Sequence, residues 1–368
     1  MLSDVSEIRL LQFGTGRFLR AFVGAFVQEA NDAVPPDGRR AITIVESTGS
    51  GAAGRLMAQG CRYRLLVRGL RDGAVVDETR LIESADRAVD GAEDPRAVLA
   101  AAVDPALTTI VSNTTEAGYV AGSGGFPARL LEVLVARSRA GLPGVTILPC
   151  ELVERNGDRL RELVLAELAS GSIEPRVAEH VREGNTWAVT LVDRIVTAPA
   201  PDLPGVEGDP LAVAAEPFAL WVIEAPADAS LLHHPVVRRV EDVGSFALRK
   251  IRILNGAHTA LVARTRGGPF TFVREAMADR VTASWLETML REEIVPALHD
   301  RIEDGEGFTA TVLERFRNPF LDHRLADIAL HHDAKLGTRL VPTFHDFVAR
   351  FGRRPPMLSE LLEQEGAL

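Results

Sequence analysis

Cysteine is scarce in this chain of 368 residues: Cys61 and Cys150 stand alone, at a spacing that matches neither a CxxC pair nor a zinc ligand set. That excludes a disulfide-stapled scaffold and fits a reducing compartment, so a cytoplasmic location is expected. An excess of basic charge is missing too. The 41 Lys and Arg against 51 Asp and Glu leave a net charge of −10. The basic residues are scattered, which argues against nucleic acid or an anionic membrane as partner. No apolar run approaches the roughly 18 residues of a membrane span, and MLSDVSEIRLLQF has no basic segment leading into a long apolar one. Neither export nor membrane insertion is therefore expected. Repeats and low-complexity tracts are absent. His233-His234 and His331-His332-Asp333 have neither HExxH nor a helical i,i+4 spacing, so no metal is expected. What remains is an ordinary globular composition, 46% hydrophobic and 25% charged, in a chain long enough for two domains.

The first half alternates strand and helix patterns. Ile8 to Phe13 reads as a short strand running into Gly14-Thr15-Gly16, followed by a helical pattern of Phe18, Phe22, Ala25, Phe26 and Ala30. A strand, a glycine turn and a helix make the context in which a pyrophosphate rests on a helix N-terminus. Gly14 permits the tight turn, and Gly16 lets the backbone approach phosphates. Leu19 stands where the third glycine of GxGxxG is expected, so the match is partial; an ordinary glycine turn before a core helix reads the same. A second buried strand, Ala41 to Glu46, ends in an acid. At that place Glu46 could accept from both ribose hydroxyls and repel a 2′-phosphate, which favours NAD over NADP. A hairpin is expected around Arg71-Asp72-Gly73 and a helix near 95–103. A strand from Leu107 follows, ending in the polar tip Asn113-Thr114, suited to line a cofactor cleft or simply to form a turn. Helix 127–139, strand Val145–Pro149 and a helix opening at Glu154-Arg155-Asn156-Gly157 continue the alternation. Asn156 reads either as a cap or as an amide offered to a ligand. Asp193 and Arg194 share an apolar strand, and 199–210 is a proline-rich loop. From Phe246 the patterns are helical: 246–265, 274–303, 308–316, 322–335, 340–351 and 357–364. The change near residue 245 marks the expected boundary, with domains at 1–244 and 245–368. The class is α/β, a doubly wound sheet joined to a mainly α-helical domain.

The stretch Lys250 to His258 begins just after that boundary. At about 100° per residue, Lys250, His258 and Asn255 fall at about 0°, 80° and 140°, on one helix face with Leu261, Leu254, Ile251 and Val262. An ammonium set among apolar side chains is normally either paired or functional. Gly256 weakens the helix expectation.

Together these stretches resemble the polyol-specific long-chain dehydrogenase/reductase family, the mannitol dehydrogenases and their relatives. Residues 12–22 are similar to its GxGxFxRxF cofactor motif, which also lacks the third glycine, and Lys250–His258 matches its KxxxxNxxH signature. SNTTEAG (112–118), PCELVERNG (149–157), LVDRIVT (191–197) and RFRNPF (315–320) look most like the branch that reduces tagaturonate to altronate. That branch carries a longer C-terminal helical region than this chain, which stops at Leu368. The resemblance implies a Rossmann-like N-terminal domain that binds NAD through Phe13, Gly14, Gly16, Arg17, Phe18, Glu46, Asn113 and Thr114. It implies Lys250 as general acid/base, a role that needs a lowered pKa. Asn255 and Asn156 would form an oxyanion hole, and His258, about 12 Å along the helix from Lys250, would hold a distant hydroxyl. Asp193 would meet the sugar hydroxyls, and Arg315 or Arg317 a substrate carboxylate. The expected partner is a small sugar acid or polyol, with the chain a monomer or homodimer. A neutral polyol or polyol phosphate is the alternative substrate, and a non-catalytic NAD sensor the alternative class.

Overall fold

The computed structural model describes residues 8–35, 38–114, 118–120, 122, 124–200 and 203–368; part of the 112–118 stretch, residues 115–117, lies outside them. The chain divides into two compact units. The first runs to Val67 and takes in Glu78–Ala215 and Ala219–Val243; the second gathers Arg68–Asp77, Glu216–Phe218 and Gly244–Leu368.

Short β-branched runs build the first unit. The strands of this part of the chain are β1 (Ile8–Phe13), β2 (Arg40–Glu46), β3 (Tyr63–Arg71), β4 (Ala74–Ile82), β5 (Ala85–Asp90), β6 (Leu107–Ser112), β7 (Thr146–Pro149) and β8 (Thr186–Trp187), with the end of β3 and the start of β4 counted in the second unit. Six of them form a sheet in the order β5-β2-β1-β6-β7-β8, with every described pairing parallel. The central strands are buried on both faces, which is why ITIV in β2 and TIV in β6 read as continuous apolar runs rather than alternating ones. The chain leaves β1 toward one edge and returns on its other side at β6. The carboxyl ends of β1 and β6 therefore flank the switch point where such sheets place their ligands. Five shorter strands follow: β9 (Val189–Asp193), β10 (Val196–Thr197), β11 (Val213–Ala215), β12 (Leu220–Glu224) and β13 (Val237–Val240). They contribute to a sheet ordered β10-β11-β3-β4 and another ordered β13-β12-β9.

Helix 17–32 covers the sheet after the glycine turn and contains a π-helical turn at Arg20–Gly24. A π turn widens the ring and leaves backbone carbonyls to be satisfied from outside. Tyr63 Oη donates to the Arg20 carbonyl at 2.8 Å and Arg194 Nη1 to the Ala21 carbonyl at 2.6 Å. On the same helix Gly24 lies against Tyr63 so closely that an added Cβ would come within 2.2 Å of the hydroxyl.

The second unit is helical, and helix 244–265 runs through its core with Ile253, Leu254, Ala257, Ala260 and Leu261 buried. Two expected helices are divided. The segment 274–303 breaks at Asp279, whose extended backbone lets its carboxylate cap the Thr282 N–H at 2.8 Å. The segment 322–335 becomes Leu325–Ile328 and His332–Arg339, separated at His331, where φ is +56°. Helices Ala52–Ala58 and Pro175–Glu183 and strand β5 were not expected; each is too short for periodicity to declare it.

In the first unit, helix Asn156–Ser170 starts flush against β9. A Cβ on Gly157 would sit 2.1 Å from the Ala188 carbonyl oxygen, a backbone atom that cannot swing aside. Gly157→Ala is therefore expected to destabilise the fold by about 3 kcal/mol, at the upper end for overpacking, read as a fall in the urea midpoint.

Candidate active site

At the switch point of the first unit, Gly14 takes φ +124°, and a Cβ there would meet the Asn113 carbonyl at 3.0 Å and Leu19 Cδ1 at 3.1 Å. Leu19 thus fills the space that the glycine leaves, and only glycine fits the turn. Nothing lies within 4 Å of a Cβ on Gly16, and the helix begins at the next residue, so the turn is open at the point where phosphates meet helix N–H groups. Arg20 Nη1 closes the turn from below by donating to the Thr15 carbonyl. Phe13 packs in the core on Phe126, ring centroids 5.1 Å apart, so its backbone rather than its ring is available to a ligand. Phe18 stacks on Phe22 at 4.8 Å, while Arg17 is exposed. Beside the carboxyl ends of β1, β2 and β5 lies a cavity of about 330 Å³, lined by Phe13, Val45, Gly91, Pro95, Val98 and Arg129. A cradle of open glycine backbone with an apolar recess beside it fits a dinucleotide, with the recess taking a flat heterocycle.

Three expected contacts in this unit are occupied by the protein itself. Glu46 is 1% exposed, and its carboxylate accepts from Ser50 N, Ser50 Oγ at 2.7 Å and Ala53 N at 2.7 Å. Those bonds hold its pKa below the usual carboxylate value despite the opposing desolvation. The direct ribose contact expected of Glu46 is therefore not what its side chain makes; it organises loop 47–51 and the start of helix Ala52–Ala58. Asn156 is likewise 1% exposed. Its Nδ2 donates to the carbonyls of Pro149 at 3.0 Å and of Glu151 and Thr190 at 3.1 Å, and its Oδ1 accepts from Thr190 N at 2.9 Å. Two amide hydrogens already shared among three carbonyls leave none for an alkoxide. In this structure the Asn156 amide, expected to serve an oxyanion hole, ties β7 and β9 to its own helix. Asn113 donates from Nδ2 to the Cys150 carbonyl at 2.7 Å. Thr114 N donates at 2.9 Å to Glu151, a buried acid that also accepts from Ser112 Oγ and whose pKa burial raises. Glu151 escaped the sequence reading, because a single acid after a strand carries no spacing signal. Asp193 is buried in β9, opposite Leu220 of β12.

In the second unit, Lys250 opens a π-helical turn, Lys250–Leu254. The Asn255 N–H reaches the Lys250 carbonyl, five residues back, as well as that of Ile251. The inserted residue turns everything after it back by about 100° relative to a regular helix. Asn255 moves from about 140° to about 40° and His258 from about 80° to about −20°, so both lie within one narrow sector around Lys250. The Asn255 side-chain amide hydrogen-bonds no protein group among the described residues, and its backbone carbonyl accepts from Thr259 Oγ1 at 2.9 Å. His258 is 8% exposed; its ring lies on Phe316 at 4.1 Å and edge-on to His323 at 4.8 Å. Its Nε2 is buried and has no hydrogen-bond partner among the described residues. Burial first, then the neighbouring His323, Arg315 and Arg339, hold its pKa well below that of free imidazole, so it is neutral at pH 7.

Arg315 is not an open seat for a carboxylate. Its Nε and Nη2 donate to Glu216 at 3.0 and 2.7 Å, both side chains buried, and its guanidinium lies 4.3 Å over the Phe218 ring. A planar fork already filled bidentately by a protein acid cannot also clamp a substrate acid. Arg317 is exposed at the end of helix Gly305–Phe316, with Glu287 3.9 Å away.

Two family models match the chain: the mannitol dehydrogenase Rossmann domain over residues 8–233 and the mannitol dehydrogenase C-terminal domain over 242–360. Altronate oxidoreductase from Yersinia enterocolitica is 35% identical over 376 residues, covering 95% of this chain and 77% of that protein. The Bacillus subtilis altronate oxidoreductase is 33% identical with the same coverage. Among solved structures, substrate-free D-sorbitol dehydrogenase superposes with a TM-score of 0.83 at 24% identity, covering 98% of this chain and 80% of its own. Pseudomonas fluorescens mannitol 2-dehydrogenase, in complex with NAD and D-mannitol, gives 0.72 at 21% identity, covering 99% and 79%.

Breaking the buried Arg315–Glu216 pair leaves an uncompensated guanidinium, so Glu216→Gln is expected to lose about 3–5 kcal/mol in urea unfolding. A surface-like pair would lose under about 1 kcal/mol. For His258 the folded pKa lies below the unfolded one, so below about pH 6.5 the unfolded chain takes up a proton that the folded chain refuses. Stability should therefore fall as pH drops from 7 to 5, and His258→Gln should flatten that slope.

Proposed function

Because the chain belongs to the mannitol dehydrogenase family, we propose that it is an NAD-dependent dehydrogenase interconverting a keto sugar acid and its alcohol, with tagaturonate and altronate as the pair. The observation that carries this reading is the π turn at Lys250–Leu254, which gathers an ammonium, an unpartnered amide and a neutral imidazole onto one stripe of a buried helix. A family resemblance at about a third identity to altronate oxidoreductases supports the sugar-acid choice.

The first unit holds the dinucleotide on the Gly14–Gly16 turn. Gly16 backbone and the N–H groups that open helix 17–32 face the pyrophosphate, and the recess bounded by Val45 and Gly91 takes the adenine. Glu46 acts on cofactor choice through the loop it braces. When bound, the nicotinamide supplies or accepts the hydride. In the second unit, Lys250 Nζ gives a proton to the carbonyl oxygen during reduction and recovers it during oxidation. Asn255 Nδ2 donates a hydrogen bond to the same oxygen as negative charge grows on it, a neutral device that leaves the lysine's proton in place. The neutral His258 offers Nε2 to a substrate hydroxyl. The ammonium and the amide carry the polarisation, and the scheme calls on no metal.

Lys250→Ala is expected to lower kcat for NADH-dependent tagaturonate reduction by a factor of roughly 10² to 10⁴ while NADH still binds by fluorescence titration. Full turnover in that variant would remove Lys250 from the acid/base role. Loss of NADH binding along with turnover would show a folding defect instead.

A further inference from the structure

The chain holds 41 basic residues, and only two of them are lysines: Lys250 and Lys335. Wherever a generic surface cation suffices, this sequence uses arginine, so the second lysine stands out. Lys335 lies on helix His332–Arg339, one turn before Arg339. Two like charges at i,i+4 repel, and such pairs usually recruit an acid. Here no carboxylate of a described residue comes within ion-pairing distance of either, and both are half-buried. Lys335 Nζ donates to the Ile328 carbonyl at 2.7 Å, which leaves two of its hydrogens unused.

Arg339 is oriented more tightly. Its Nη1 donates to the Asn255 carbonyl at 3.4 Å and to Thr259 Oγ1 at 3.1 Å. These two bonds take both Nη1 hydrogens and fix the guanidinium against the turn that carries Asn255 and His258. The segment packs directly on Gly256: a Cβ there would be in ordinary van der Waals contact with Leu340 at 3.4 Å and with the Arg339 carbonyl at 4.0 Å. Nε–H and the Nη2 hydrogens find no acceptor among the described residues, and these form the edge that accepts a carboxylate side-on with two parallel hydrogen bonds. Burial lowers the pKa of both groups, the cost of holding two uncompensated cations together. The buried, unpartnered His258 Nε2 is a further donor or acceptor with no protein partner in the same cluster.

We propose that Arg339 and Lys335 form the seat for the anionic end of the substrate and set the preference for an acid over a neutral ketose. The assignment rests on the dehydrogenase reading above and replaces Arg315, whose fork Glu216 fills. With one residue inserted, the helix axis advances only about 6 Å from Lys250 to Asn255, comparable with an extended six-carbon chain whose carbonyl sits near Lys250 and whose anion reaches Arg339. A carboxylate and a terminal phosphate share the chemistry this seat recognises; the single free guanidinium edge matches a planar carboxylate.

The test has two arms on the full-length chain. In the first, altronate is titrated calorimetrically into protein with excess NADH, a mixture that cannot react. Arg339→Gln should weaken binding at least tenfold, Lys335→Met several-fold, and Arg339→Lys less than Arg339→Gln. Equal affinity in wild type and Arg339→Gln, or no binding to wild type, would overturn the seat. In the second arm, kcat/KM is measured with NADH and tagaturonate, fructose 6-phosphate or fructose. Arg339→Gln should lower the tagaturonate-to-fructose ratio at least tenfold, carried by KM. An unchanged ratio would reduce Arg339 to a brace for Asn255 and sink the proposal. A larger fall for the phosphate than for the acid would overturn the carboxylate assignment. Altronate binding through Arg339 with no turnover of any substrate would instead defeat the dehydrogenase reading and leave the anion seat standing.

Discussion

One extra residue in one helical turn governs the chemistry of the second unit. In a regular helix Lys250 and Asn255 diverge by about 140°, too far for an ammonium and an amide to meet one oxygen atom. The π turn at Lys250–Leu254 removes most of that divergence and carries His258 along. The turn is anchored on its inner side, where Ile253 and Leu254 pack into the core of the second unit. The first unit uses the same device after its glycine turn, where Tyr63 and Arg194 capture the carbonyls of residues 20 and 21. In both units the irregular turn comes next to the residues assigned to ligand or chemistry.

A second constraint is the demand that buried polar groups find partners. It decides which polar side chains remain for a ligand. Asn156, Glu46 and Arg315 each have the right chemistry, and each is fully engaged by the protein: by strand carbonyls, by loop N–H groups and by Glu216. Their contribution is to hold strands, loop and helices where they are. Among the described residues, Asn255, His258 Nε2 and the outer edge of Arg339 are groups of the helical unit that no protein partner takes. Where several such groups converge, a ligand has a place to supply the missing partner.

Much of the architecture was legible in the residues. The alternation of β-branched runs with amphipathic helices dictated a parallel sheet, and the glycine turn after β1 named its switch point. Helical periodicity marked the second half, although Asp279 and His331 divide two of its helices, because a cap and a left-handed residue act locally where periodicity averages. Short elements such as β5 and Ala52–Ala58 span too few residues for any period to register. At the site, Lys250, Asn255 and His258 were recognisable as a set, but the wheel that grouped them assumed a regular helix and misjudged their angles.

The residue types themselves determined a negatively charged, two-part α/β protein with a glycine turn beside a strand and one conspicuous Lys-Asn-His stretch, since period and spacing are local properties of a chain. Partnership is not local. That Glu216 meets Arg315 across 99 positions, that Thr190 meets Asn156 across 34, and that Arg339 faces Asn255 across 84 was settled only when the chain folded. Which cation keeps an open edge depends on which acids happen to reach it, and that is a matter of packing in three dimensions.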